Sequence, residues 1–446
     1  MSSSIRAGLL AVGVLLFSPF AVDAGGGGKD WYTAWQTSHN ARQTTPAMSG
    51  RTVRMLLMPT ISGTRARVKV ENTMGEAPVT FSAAYLGVSI GDTADIKSGS
   101  NRQLTFDGQP GLTLAPGQGA YSDAIKFRVR AFEKVTLSLD VASAPDISTH
   151  VVGLRINYSA AGARAADPSG GGFEPLPEIP ALNSGQWPFY WVAALDVKSE
   201  STTGSIIMFG DSITDGRCST RDDAGVVQPN LYQRWGDVLA HRIARGPKDQ
   251  IKAVANAGIA GNRVLNRGNG PSALERVHRD VLDRDGATHV IFFEGTNDIT
   301  GGFTAAQIQA GTQVIIDKVH AAGMKIIGAT VIPRGRPAPA TGWTADMEVQ
   351  RLALNDWMRH EANFDGIIDF DKLMAGGPIV ELVGGGTAPQ IPLQWNCDNT
   401  HPNPAGYKAM GEYINLRLFK DKDDDDGDRR HRRHGHHHHD GHHDRP

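Results

Sequence analysis

The chain has 446 residues, with 45 Lys+Arg against 47 Asp+Glu, 40% hydrophobic and 21% charged residues. That is a globular profile, and a formal net charge of -2 gives no overall attraction for a polyanion, so nucleic acid is not an expected partner. Two cysteines cannot build a disulfide framework, and 52 Gly and 24 Pro without a period exclude a collagen-like or coiled-coil chain.

Residues 1–24 read as a secretory signal: Arg6, an apolar stretch from Ala7 to about Phe20, then Val22-Asp23-Ala24 at the cleavage point. A bilayer span needs about 20 apolar residues, and this stretch is shorter. No later segment approaches that length without charge, so no membrane span is expected and the predicted location is secreted or periplasmic.

Residues 25–159 alternate with a period of two. Ala66, Val68 and Val70 interleave with Arg65, Arg67 and Lys69; Ile125, Phe127 and Val129 interleave with Lys126, Arg128 and Arg130; and Val135, Leu137, Leu139 and Val141 follow the same rhythm. Short strands separated by Gly, Pro, Asn and Asp predict an all-β sandwich. Residues 160–200 form a Pro/Gly-rich connector followed by Trp187-Pro188-Phe189-Tyr190-Trp191, which fits either a strand tying the halves together or a ligand-facing strip.

From 201 to 420 strands and helices alternate. Strands are predicted at 205–209, 251–255, 289–293, 325–332 and 366–370, and helical spacing appears at 231–243, 274–282, 305–322, 345–361 and 405–418. This order predicts a parallel sheet covered by helices, with ligands at the carboxyl ends of its strands.

Four motifs fall there or in the last loop: Gly210-Asp211-Ser212-Ile213-Thr214-Asp215-Gly216, Asn256 to Asn262 with Gly258 and Gly261, Glu294-Gly295-Thr296-Asn297-Asp298, and Asp398-Asn399-Thr400-His401-Pro402-Asn403. Singly, each reads equally well as turn chemistry. In order, they resemble the four blocks of the SGNH hydrolases, the GDSL family of esterases and lipases, over roughly 205–419. The resemblance implies a flavodoxin-like three-layer α/β/α domain with Ser212 as nucleophile, His401 as base, Asp398 orienting it, and Ser212, Gly261 and Asn297 as oxyanion-hole donors. The N-terminal half is similar, more loosely, to the β-sandwich that precedes this domain in many secreted bacterial members.

The chemistry is coherent on its own terms. A serine hydroxyl needs a neighbouring base, a carboxylate fixes the imidazole tautomer, and preset donors stabilise the charge developing on the carbonyl oxygen. The G-x-S-x-G elbow is absent from this half. Asp211 and Asp298 are assigned to loop hydrogen bonding rather than to a metal, because no cluster with ligand spacing accompanies them. If the triad assembles, the loops bearing Cys218 and Cys397 converge and a disulfide between them is expected; the alternative is two free cysteines.

Residues 421–446 are an Asp/His-rich tail, expected to be disordered, whose histidines can take up Zn, Ni or Cu adventitiously. The catalytic site is expected to hold no metal and to require no cofactor. The expected function is a secreted serine esterase acting on small or medium acyl groups, with a small-molecule or carbohydrate ester as substrate and an acetylated carbohydrate as one candidate. A lipase or phospholipase, or an acyltransferase, would use the same residues. A non-catalytic carbohydrate- or metal-binding protein is the reading from another class. Oligomeric state is left open.

Overall fold

A computed structural model describes residues 30–177, 187–222, 224–336 and 342–420. The signal segment 1–24 and the tail 421–446 lie outside the described residues. None of the described helices is long and apolar enough to cross a membrane.

The N-terminal half is built from antiparallel ladders. One sheet runs in the order Trp31–Gln36, Val192–Lys198, Gly63–Glu71, Gly119–Tyr121, with Ile125–Val129 also pairing to Gly63–Glu71. The other is centred on Arg51–Leu57, Val135–Ser143 and Val79–Val88. Alternation explains the packing between them: Ala66, Val68 and Val70 from the first sheet meet Val53, Met55, Leu137 and Leu139 from the second in one core, all at most 1% exposed. Val192–Lys198 therefore sits inside the sandwich.

Two features go beyond simple alternation. In Val135–Ser143 the polar positions Thr136 and Ser138 are buried as well as the apolar ones. Their outer face is covered by the connector and by the loop after Val79–Val88: Arg54, which also donates to Ser138 Oγ, bonds the carbonyls of Ser169 and Asp167 in the first and of Ala94 in the second, and Ser89 Oγ lies 2.6 Å from Thr136 Oγ1. The aromatic run is structural: Phe189–Tyr190 pairs with Ile147–His150, and Phe189, Tyr190 and Trp191 are buried.

In the C-terminal half all five predicted strands form. They stand parallel in the order Ile251–Gly258, Thr202–Gly210, Ala287–Phe293, Lys325–Ala329, Gly366–Ile368. Numbered along the chain this is 2-1-3-4-5, the flavodoxin-like order, whose switch point lies at the carboxyl ends of the first and third strands. Alternate residues feed the two faces. Ile207, Phe209 and Phe292 join the core that includes Ala305–Ala321, while Ile206, Met208 and Phe293 join the core of Trp235–Ala244 and Pro404–Tyr413.

Some helix bounds differ from the periodicity. The helix predicted from 231 begins only at Trp235, because Asn230 and Tyr232 have positive φ and Leu231 is 38% exposed. The last helix stops at Tyr413, after which Asn415 caps a separate turn, Leu416–Phe419. The two halves are docked by specific bonds: Thr33 N–H donates to Asp285 O, Gln36 Nε2 to Asp280 O and Arg279 Nη2 to His39 O.

Candidate active site

Strand Thr202–Gly210 runs into the cap residue Asp211, whose Oδ1 accepts the Ile213 N–H at 2.9 Å and starts the short helix Ser212–Asp215. Gly210 must be glycine: a Cβ there would meet Thr214 Oγ1 at 2.2 Å and Phe293 O at 2.7 Å. The tight turn lifts Ser212 to the strand tip, where its Oγ lies 2.8 Å from His401 Nε2. His401 Nδ1 lies 2.9 Å from Asp398 Oδ2 and 3.0 Å from Oδ1. Asp398 Oδ1 also accepts the N–H groups of Thr400 and His401, so the carboxylate shapes its own loop as it orients the ring. Arg336 Nη2 donates to the Asp398 carbonyl at 2.9 Å and holds the loop from outside.

This arrangement supplies a hydroxyl, an acceptor for its proton and a carboxylate beyond. Ser212 and His401 are 6% and 7% exposed. Burial, opposed by Asp398, pulls His401 below its ordinary value of 6.5. Against the burial that would raise it, the hydrogen bond and charge of His401 hold the Asp398 carboxyl below the usual carboxylate range. A base with a lowered pKa stays neutral further into acid, so kcat/KM should fall with decreasing pH at a midpoint below 6.5. Burial also raises the Asp211 carboxyl to about 7, a second ionisation beside the nucleophile. A pH–rate profile of Asp211→Asn separates the two. Persistence of an acid limb at about 7 in that variant would contradict the assignment of the base.

The three expected oxyanion donors come from adjacent strand ends. The Ser212 N–H is in the first turn of its helix, where no internal carbonyl faces it. Gly261, at φ +75°, follows strand Ile251–Gly258, and Ile259 N–H ties that turn to Gly210 O at 3.0 Å. Asn297 opens a helical turn after Ala287–Phe293 and donates one amide proton to Asn262 O at 2.9 Å, leaving the other N–H of the same group. Asp298 accepts the N–H groups of Val264 and Leu265, so both extra aspartates of the motifs bond loops as expected.

Cys218 and Cys397 are bonded, with Cα atoms 6.4 Å apart. Cys218, Asp398 and His401 also bring three ligand-type atoms within 4.8 Å of one another. They do not suit a metal, because the sulfur is committed to the disulfide and the imidazole to the carboxylate. The bridge pins the histidine loop to the nucleophile loop. Reduction should therefore lower stability by about 2–4 kcal/mol and lower turnover with it. Thermal melts, thiol titration and rates with and without reductant check this; two titratable thiols with an unchanged rate would contradict it.

Two supporting residues, Arg276 and His150, carry no mark in the sequence, and a third, Asp215, lies in the first motif without an assigned role. Arg276, fully buried, bonds Asn262 Oδ1, Ala257 O, Gly210 O and Glu294 Oε1, and so fastens together the strand ends that bear all three donors. Asp215 accepts the Ala260 N–H at 2.8 Å, next to Gly261, and faces His150 Nε2 at 3.0 Å. His150 belongs to the sandwich, which thereby reaches the wall of the site. A charged residue at helical spacing ordinarily reads as solvent-facing, which is why Arg276 gave no signal.

Residues 208–409 match the model of the GDSL-like lipase/acylhydrolase family. The chain carries a GDSL-like hydrolase domain. It is the domain of a carboxylic ester hydrolase, and Ser212, Gly261, Asn297, Asp398 and His401 all lie within the matched stretch. Among solved structures, the GDSL domain is similar to an aryl esterase of M. smegmatis, at 16% identity and TM-score 0.37, covering 49% of this chain and 100% of that one. It is also similar to a carbohydrate acetylesterase from Sinorhizobium meliloti, at 16% identity and TM-score 0.36, covering 47% of this chain and 94% of that one. No curated protein matches the chain. The family assignment rests on the family model alone.

Proposed function

We propose that the protein hydrolyses carboxylic esters of small or medium acyl groups, including O-acetyl groups on carbohydrates, through an acyl-enzyme on Ser212. The observation that carries this reading is the unbroken chain Ser212 Oγ, His401 Nε2, His401 Nδ1, Asp398 Oδ2 at 2.8 and 2.9 Å. His401 takes the proton as Oγ attacks the carbonyl carbon, and Asp398 stabilises the imidazolium. Ser212 N–H, Gly261 N–H and the Asn297 amide receive the oxyanion. His401 returns the proton to the leaving alcohol, and water repeats the sequence to release the acid. A nucleophile only 6% exposed supports a small acyl group.

We also propose that the protein works outside the cytoplasm, in keeping with the Cys218–Cys397 bridge, since structural disulfides persist in oxidising compartments. Release of p-nitrophenol from acetate, butyrate and longer esters tests the acyl preference. Cleavage should be fastest for the shorter esters; a rate that climbs steadily with chain length would favour a lipase instead.

A further inference from the structure

The sandwich carries, away from the triad, a concentration of charge that the fold does not neutralise. Strand Ile125–Val129 turns Phe127 and Val129 inward and exposes Lys126 and Arg128, with Arg130 exposed just beyond. Outward residues two apart on a strand are spaced about 7 Å. Across the ladders Arg65 stands between two cations, Lys126 on one side and Lys198 on the other. Lys198 is paired with Asp30. Among the described residues, no ion pair joins Arg65, Lys126 or Arg128 to a carboxylate, and like charges directly opposite destabilise a strand pair.

Beside this row lies a solvent-open cleft of about 300 Å³. Lys97, Arg102, Lys126, Arg128 and Arg130 line it, and its one carboxylate, Glu133, is taken up by Arg130 at 3.4 Å. The chain as a whole has a formal charge of -2, so this cluster is not a share of general basicity.

We infer that this cleft binds an acidic polysaccharide, whose anionic groups would relieve the repulsion between Arg65 and Lys126 and engage the cations on both walls. Single-stranded nucleic acid fits less well, because it is held by bases stacked on exposed aromatic rings. The one aromatic residue lining this cleft, Phe127, is only 5% exposed. The inference goes beyond the esterase reading and does not depend on it, since none of these residues touches Ser212, His401 or Asp398.

The test is affinity electrophoresis and calorimetric titration of the full chain with polygalacturonate, dextran sulfate, uncharged dextran and single-stranded DNA, each at low and high salt. Either anionic polysaccharide should bind, weakening as salt rises, while dextran does not; the stronger of the two says whether carboxylate or sulfate is the preferred group. Lys126→Glu/Arg128→Glu and, on the other wall, Lys97→Glu/Arg102→Glu should each weaken binding at least about tenfold, as expected for counterion-release contacts. Both should leave p-nitrophenyl acetate hydrolysis unchanged, which also reports correct folding. Equal binding by wild type and both variants, or no binding of either acidic polymer, would overturn the inference. DNA binding tighter than both would replace it with a nucleic-acid surface.

Discussion

Ser212→Ala should fold normally and lose ester hydrolysis by on the order of 10,000-fold or more, because base, carboxylate and donors are then left without a nucleophile. The hydroxyl makes one side-chain bond, to His401, and belongs to none of the apolar core clusters, so little stability depends on it. Circular dichroism and a thermal melt verify the fold; hydrolysis of p-nitrophenyl acetate gives the rate. Asn297→Ala should fall short of this by a clear margin, losing about 100- to 1,000-fold in kcat with KM little changed, because one donor acts on the transition state while the nucleophile remains. Equal residual rates for wild type and Ser212→Ala would reduce Ser212 to a turn residue.

Arg276→Met is the substitution expected to cost most in stability, about 3–5 kcal/mol. The guanidinium lies over the Phe209 ring at 4.1 Å and serves the carbonyls of Gly210 and Ala257, the side chain of Asn262, and the carboxylates of Asp280 and Glu294. Methionine matches its stem but removes the donors to Ala257 O and Asn262 Oδ1 and one of the partners of Gly210 O and Asp280, which keep Ile259 N–H and Arg279 respectively. Glu294, whose carboxyl burial pushes well above the usual range, can answer the loss by taking up a proton, whereas the Asn262 side-chain oxygen has no such recourse. Denaturant unfolding measures the loss. Arg276→Lys, which keeps the charge but not the fork of donors, should retain more stability and still lower kcat more than it changes KM, since the strand ends bearing the proposed oxyanion donors are no longer held together. A loss below about 1 kcal/mol for Arg276→Met would show that the strand ends hold themselves.

How much of this was legible in the sequence depends on what each residue does. The five parallel strands are short apolar runs bounded by turn residues, so periodicity sufficed to find them, whereas Ser212, Asp398 and His401 were picked out by the resemblance of four motifs, at strand ends and in the last loop, to the blocks of the SGNH hydrolases. The convergence of Cys218 and Cys397 followed once those loops were brought together. What could not be read was set by partners distant in the chain. Val192–Lys198 is a central strand of the sandwich only because Trp31–Gln36 and Gly63–Glu71 flank it. Thr136 and Ser138 look solvent-facing until Ser89 meets the first and Arg54, tied to the connector, meets the second. Arg276 and His150 are ordinary polar residues in their own segments and acquire a role from Gly210, Asn262 and Asp215, which lie far away in sequence. The start of the helix at Trp235 was misplaced for a local reason: left-handed backbone at Asn230 and Tyr232 outweighed the helical spacing of Leu231.

The most direct test of the central claim, that Ser212 is a nucleophile activated by His401, is covalent labelling with an activated phosphonate ester followed by peptide mass mapping. The wild-type protein should take up one phosphonyl group, on the peptide containing Ser212, and His401→Ala should remain unlabelled over the same time. Labelling at another residue, or equal labelling of Ser212 in His401→Ala, would contradict it.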